Sequence, residues 1–106
     1  MNSGVLVAIS IPIFTSQLEK AREATDLANL RSAYAEAAAD ALVADTATTA
    51  SVTREVPIKQ TTAGWVTAFE EVGGVKKANV PDLKTGDTAV VTVYTDGTTA
   101  TTITKK

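Results

Sequence analysis

The sequence contains no cysteine and no histidine. Without thiolate or imidazole it lacks the ligands of a zinc cluster and the usual nucleophile and base of covalent catalysis. The missing cysteines also leave the redox compartment unmarked. Glycine is scarce, at 6 residues, and none forms a phosphate-binding loop: Gly73 and Gly74 follow no strand-to-helix pattern. Aromatic residues make up 5% of the chain, and none interleaves with Lys76, Lys77, Lys84, Lys105 or Lys106 as a nucleic-acid surface would require. The net charge of −2 gives no reason to expect nucleic acid or an anionic membrane surface as the main partner. Asp82, Asp87 and Asp96 carry oxygen ligands, but their spacing matches no calcium loop, and they read as solvated turn carboxylates. Ser3, Ser10, Ser16, Ser32 and Ser51 stand in no motif. The expectation is therefore no catalytic residue, no metal, no cofactor and no small-molecule substrate, in a protein that is not an enzyme.

What the chain does have is one long uninterrupted stretch. From Gly4 to Val43 an apolar run, GVLVAISIPIF, leads directly into TSQLEKAREATDLANLRSAYAEAAADALV. Between Gly4 and Thr46 there is no second glycine and one proline, Pro12, so the pattern predicts one helix. At a rise of about 1.5 Å per residue it would be roughly 60 Å long. A compact chain of this size has a radius of gyration of only about 13 Å, so part of the helix must project from the rest.

The two halves of this helix differ in their faces. Leu27, Leu30, Tyr34, Ala37, Ala38, Ala41 and Leu42 fall in one stripe, opposite Arg22, Asp26, Asn29, Glu36 and Asp40, which is the pattern of a helix packed on a small domain. Val5, Leu6, Val7, Ile9, Ile11, Ile13, Phe14 and Leu18 point in every direction, as in a helix surrounded by lipid or by other helices. The spacing thus divides the chain into a stem, 1–23, and a head, 24–106, made of helix 24–43 and an antiparallel sheet. Pro12 removes a backbone donor and leaves the Ala8 carbonyl without its helical partner, predicting a bend over Ala8 to Pro12. Glu19 with Arg22, and Arg22 with Asp26, are spaced for pairing on a solvated face; the alternative is that Glu19, Lys20, Arg22 and Glu23 pair between neighbouring subunits of a polymer.

The rest of the chain reads as sheet and loop. Residues 44–51 are small and polar, a loop ending the helix. SVTREVPIKQ alternates, with Val52, Arg54, Val56 and Ile58 on one face. Arg54 interrupts the apolar set, and Pro57 marks an edge strand or a bulge. In TTAGWVTAFEEVGG the helical spacing of Trp65, Phe69 and Val72 predicts a short helix, begun by Thr62 and stopped by Gly73-Gly74, with Trp65 and Phe69 in the core. Residues 75–87 read as loop. TAVVTVY and TATTITK flank Asp96-Gly97 and predict a β-hairpin with a type I′ turn, pairing Thr95 with Thr98 and Val90 with Ile103. The fold class is α+β, a long N-terminal helix packed on a small antiparallel sheet.

GVLVAISIPIF followed by a polar helix resembles the N-terminal segment of type IV pilins and pseudopilins, with Gly4, Pro12 and Phe14 at matching positions. The resemblance covers residues 4–43 and lacks the family's processing site, for which Met1, Asn2 and Ser3 read as a replacement. Gly4 to Phe14 is also shorter than the roughly 20 residues that span a bilayer. The resemblance implies a full-length precursor inserted in the cytoplasmic membrane, trimmed by a prepilin peptidase and methylated. It then implies self-assembly into a filament at the cell surface, together with pilus or secretion machinery. The assembling or membrane helix would comprise Gly4, Val5, Leu6, Val7, Ile9, Ile11, Pro12, Ile13 and Phe14. Leu27, Leu30, Tyr34, Ala38, Ala41 and Leu42 would pack the helix on the sheet. Many Gram-negative pilins tie a C-terminal loop with a disulfide, so the missing cysteines favour a Gram-positive pilin or a pseudopilin, and the missing calcium motif tilts the reading toward the former. The alternatives are a pseudopilin of a type II secretion or competence system and, from another class, a small membrane-anchored binding module using Trp65 or the Tyr94 face of the sheet.

Overall fold

The computed structural model describes the backbone of residues 3–106 and the side chains of residues 17–106. The expectations placed on Gly4, Val5, Leu6, Val7, Ile9, Ile11, Pro12, Ile13 and Phe14, including the bend over Ala8 to Pro12, lie outside the described side chains. One helix, α1, runs over Ser3–Val43. Alanine and straight-chain residues dominate it after Gln17, and these give up little freedom on becoming helical. After Val43 the chain turns at Asp45, whose carboxylate accepts the Ala47 N–H at 2.9 Å and whose carbonyl accepts the N–H groups of Thr48 and Thr49.

Five short strands follow: β1 Ser51–Pro57, β2 Glu71–Val72, β3 Val75–Lys76, β4 Thr88–Tyr94 and β5 Thr102–Lys105, with one 3-10 turn at Lys77–Asn79. β1, β4 and β5 form an antiparallel sheet in that spatial order, while β2 and β3 form a separate hairpin. The fold is α+β, with the helix laid across the three-stranded sheet. Its radius of gyration is 17.9 Å and its extents are 71 × 20 × 19 Å, well beyond the 13 Å or so of a compact domain of this length.

The core lies between the helix and one face of the sheet. Leu27, Leu30 and Ala33 meet Val56, Ala89, Val91 and Ile103, with Ile58, Val72, Val75, Val80 and Leu83 closing the lower end. Val91 is paired with Ile103 and Val56 with Ala89, so the buried residues of all three strands stand side by side. β1 lies at an edge as Pro57 requires, with that proline as its last residue.

Four sequence expectations are corrected. Residues 61–69 form no helix: the segment crosses the helix as an irregular loop, because its N–H groups are taken by helix carboxylates rather than by its own carbonyls. Trp65 and Phe69 still pack against the core, edge to face at 5.5 Å between centroids, and the Trp65 indole N–H donates to the Pro81 carbonyl at 3.0 Å. Gly73-Gly74 is not a helix stop but the turn of the β2–β3 hairpin. Both have positive φ, 58° and 82°, as a type I′ turn demands. Asp96 does not take the positive φ of a type I′ turn. Its carboxylate instead accepts the N–H groups of Thr98 at 2.9 Å and Thr99 at 2.8 Å, which widens the loop. The β4–β5 register is displaced by one residue from the expected one, so Ile103 pairs with Val91 rather than Val90. In a strand of period 2 that single step moves Ile103 to the buried face.

Candidate functional site

The junction between helix and head is built from three carboxylates. Glu19, Glu23 and Asp26 are spaced i, i+4 and i+7, which stacks them on one face of α1. Asp26 accepts the backbone N–H of Lys59 at 2.8 Å and of Gln60 at 2.9 Å, one on each oxygen. Glu19 accepts the N–H groups of Thr61 and Thr62, each at 3.0 Å to Oε2, and the Thr61 hydroxyl at 2.7 Å. Oε1 of Glu23 accepts the N–H groups of Val66 and Thr67, both at 2.9 Å. The loop from Lys59 to Thr67 is therefore held by its amide groups against the helix.

Burial makes this arrangement costly to break. Asp26 and Glu23 are 0% and 2% exposed, and buried carboxylates survive only where hydrogen bonds replace water. Hydrogen bonding from Thr62 and then Thr61 lowers the Glu19 carboxyl to about 2, with the Arg22 guanidinium 3.6 Å away as a smaller contributor. Gln60 ties the loop to the opposite side. It is fully buried, and its side-chain amide donates to the carbonyls of Gly64 at 2.9 Å and Leu83 at 2.8 Å.

Asp26, assigned by its position to the solvated face, is thus at the centre of the buried one. Its Arg22 partner pairs with Glu19 alone among the described residues. The buried arc is turned by roughly 50° from the expected stripe, because hydrogen-bonded carboxylates count as interior residues and extend the apolar arc sideways. Leu27 and Leu30 lie in the core, and Tyr34, Ala38 and Ala41 are half-buried. Leu42 is a correction: it is 88% exposed, as is Val43 at 85%, at the rim of a shallow groove that separates it from Val93 and Tyr94. Ala33, absent from the expected set, is buried at 5%. The signal for Glu23 and Asp26 was present, since Glu19, Glu23, Asp26, Leu30, Ala33 and Ala37 form one continuous helical row.

Arg54, which interrupts the alternation of β1, faces the helix and pairs with Asp40 and, at 3.8 Å, with Glu36. Toward the end of α1, Tyr34, Ala38, Ala41 and Leu42 form a shallow groove with Val93 and Tyr94. Asp87 and Asp96 are turn carboxylates: Asp87 accepts the Lys84 N–H at 3.0 Å, and hydrogen bonds from Thr99 and then Thr98 hold the Asp96 carboxyl at about 2. Among the described residues no helix is long and apolar enough to cross a membrane. No family model matches the chain, and no curated protein or solved structure is significantly similar to it.

Proposed function

We propose that the protein is a structural subunit of a type IV pilus-like surface filament that assembles through its N-terminal helix. The supporting observation is the reach of α1. Its bounds are Ser3–Val43, and among the described residues the first hydrogen bonds that fasten the head to it are at Glu19, with Gln17 and Leu18 just before them exposed. A helix of 41 residues in a molecule 71 Å long and 20 Å across supports a stem that extends past the head, with the apolar run Val5 to Phe14 available for contacts with other subunits.

In this reading the full-length precursor is held in the cytoplasmic membrane by its apolar helix, trimmed and methylated at its N-terminus, and drawn into the filament. Side chains such as Leu6, Ile9, Ile13 and Phe14 then supply about 1.5–3 kcal/mol each when packed against neighbouring subunits, offset by extraction from lipid. The carboxylate-held loop keeps the head at a fixed place on the helix, so that a helical array of stems displays a regular array of heads. The role is structural, with no catalytic step.

Electron microscopy of cells carrying a deletion of the gene tests the proposal. Fibres are expected to disappear, to return with the native gene, and to stay absent with Leu6→Asp plus Ile9→Asp while the variant protein accumulates. Fibres unchanged by the deletion overturn the pilus reading. Unchanged fibres with loss of secretion or DNA uptake point instead to a pseudopilin.

A further inference from the structure

The two edges of the three-stranded sheet are finished differently. The bond from the Lys106 N–H to the Thr88 carbonyl, 2.8 Å, sets the phase of the β4–β5 ladder. Val90 with Thr104, and Thr92 with Thr102, are then the hydrogen-bonded pairs, and Ile103 and Lys105 turn their N–H and C=O groups away from β4. On the other side, Thr95 N–H to Ala50 carbonyl at 3.0 Å and Ile58 N–H to Asp87 carbonyl at 3.1 Å leave Thr53, Glu55 and Pro57 facing outward. That edge is blunted: Pro57 has no N–H to offer, and the Arg54 guanidinium donates to the Thr53 carbonyl at 2.9 Å. Such devices prevent strand addition.

β5 has no equivalent closure. Among the described residues no hydrogen bond takes the outward groups of Ile103 or Lys105. Between this edge and the β2–β3 hairpin lies a groove of about 650 Å³, lined on one side by Val75, Lys76 and Asn79 and on the other by Thr101, Ile103 and Thr104. No carboxylate lines it. Lys76 and Lys105 take part in no ion pair among the described residues, although Glu71 stands across the hairpin from Lys76.

We propose that the β5 edge accepts an extended, acidic segment of a partner protein as an added strand. The partner's backbone pairs with the outward amides of Ile103 and Lys105, and its carboxylates meet Lys76 and Lys105. Strand addition draws affinity from main-chain bonds and specificity from flanking groups. Pairing of two copies through β5 would set the same lysine-bearing rim against itself, which opposes a homodimer there. The site stands whether or not the protein forms filaments.

The test is an NMR titration of the ¹⁵N-labelled protein with the peptide ETVTVTE, with KTVTVTK, and with ETVTVTE methylated at alternate backbone nitrogens. With ETVTVTE, the amides of Ile103 and Lys105 are expected to shift and gain protection from hydrogen exchange. Methylation should abolish this, and the lysine peptide should bind more weakly. Lys76→Glu should lower affinity roughly tenfold by reversing a charge beside the strand. Lys105→Pro removes an outward N–H at an exposed edge position, so it should lose binding while the spectrum of the rest of the head is kept. Absence of binding, equal binding of the methylated or lysine peptide, or dimerisation through β5 without peptide overturns the proposal.

Discussion

The buried carboxylate of Asp26 receives the backbone N–H of Gln60 at 2.9 Å across a sequence distance of 34 residues. Through its other oxygen it also holds Lys59 at 2.8 Å, so one side chain on the helix fixes where the strand that ends at Pro57 enters the loop. Replacing Asp26 by Leu removes the acceptor and leaves the buried Gln60 N–H and the part-buried Lys59 N–H without partners. Each such donor costs about 1–3 kcal/mol, so the variant is expected to lose about 2–5 kcal/mol, read as a lower urea midpoint. Asp26→Asn retains one acceptor oxygen and should lose less. Equal stability of the wild type and the Leu variant would refute the assignment of Asp26 as the anchor.

Glu19 makes the adjoining contact pH-dependent. Its carboxyl is lowered from 4.5 to about 2 in the fold. The folded state therefore binds the carboxylate form in preference, and its contribution is complete above pH 4.5. It declines as pH falls from there toward the folded value near 2, below which it is gone. Hydrogen exchange at Thr61 and Thr62 should accelerate relative to the core amides of Val91 and Ile103 through this window. In Glu19→Gln the acceleration should be present already at neutral pH and vary little across it. Unchanged protection of Thr61 and Thr62 in that variant would show that the loop is held by something else.

The helix and strands β1, β4 and β5 were legible because their signals are local, whereas β2 and β3 fall in stretches that read as a short helix and a loop. A run without glycine from Val5 to Val43 has few other states open to it, and alternation with proline at Pro57 marks an edge strand. What was not legible depends on partners distant in sequence. Periodicity scored Asp26 as polar and therefore wet, whereas the amides of Lys59 and Gln60 make it an interior residue. The amides of Thr61, Thr62, Val66 and Thr67, claimed by Glu19 and Glu23, likewise deny residues 61–69 the helix suggested by Trp65, Phe69 and Val72. In the hairpin, Asp96-Gly97 has the composition of a tight turn. Only the three-dimensional need to place Ile103 beside Val91, under Leu30, selects the register one residue away.

Tyr34 and Gly73 give a sharper test of how the β2–β3 hairpin docks. A Cβ at Gly73 would lie 2.6 Å from the Tyr34 ring, and the residue has φ of +58°. Gly74 has φ of +82° and nothing near a Cβ. Both substitutions by alanine pay the left-handed penalty of about 1–2 kcal/mol, but only Gly73→Ala must also displace the tyrosine ring. Gly73→Ala is thus expected to be the more destabilising by about 1–3 kcal/mol, in line with overpacking of a filled site. Tyr34→Ala combined with Gly73→Ala should cost less than the sum of the two single changes. Equal thermal shifts for the two glycine variants would mean that the ring does not pack on the turn.

Leu30 and Leu42 separate the buried arc from the exposed end of the same helix. Leu30 is 0% exposed and Leu42 is 88% exposed, although both belong to the stripe that periodicity marks as apolar. Leu30→Ala opens a cavity among Val56, Val91 and Ile103 and is expected to cost about 2–5 kcal/mol. Leu42→Ser removes a side chain already in water, and the isolated subunit should change by no more than about 0.5 kcal/mol. Measured in parallel by chemical denaturation, the two values should differ severalfold. A large loss from Leu42→Ser in dilute monomer would place the last helical turn against the sheet. If the loss appears only in assembled fibres, Leu42 is a contact between subunits, and the filament reading gains a second surface beyond the apolar stem.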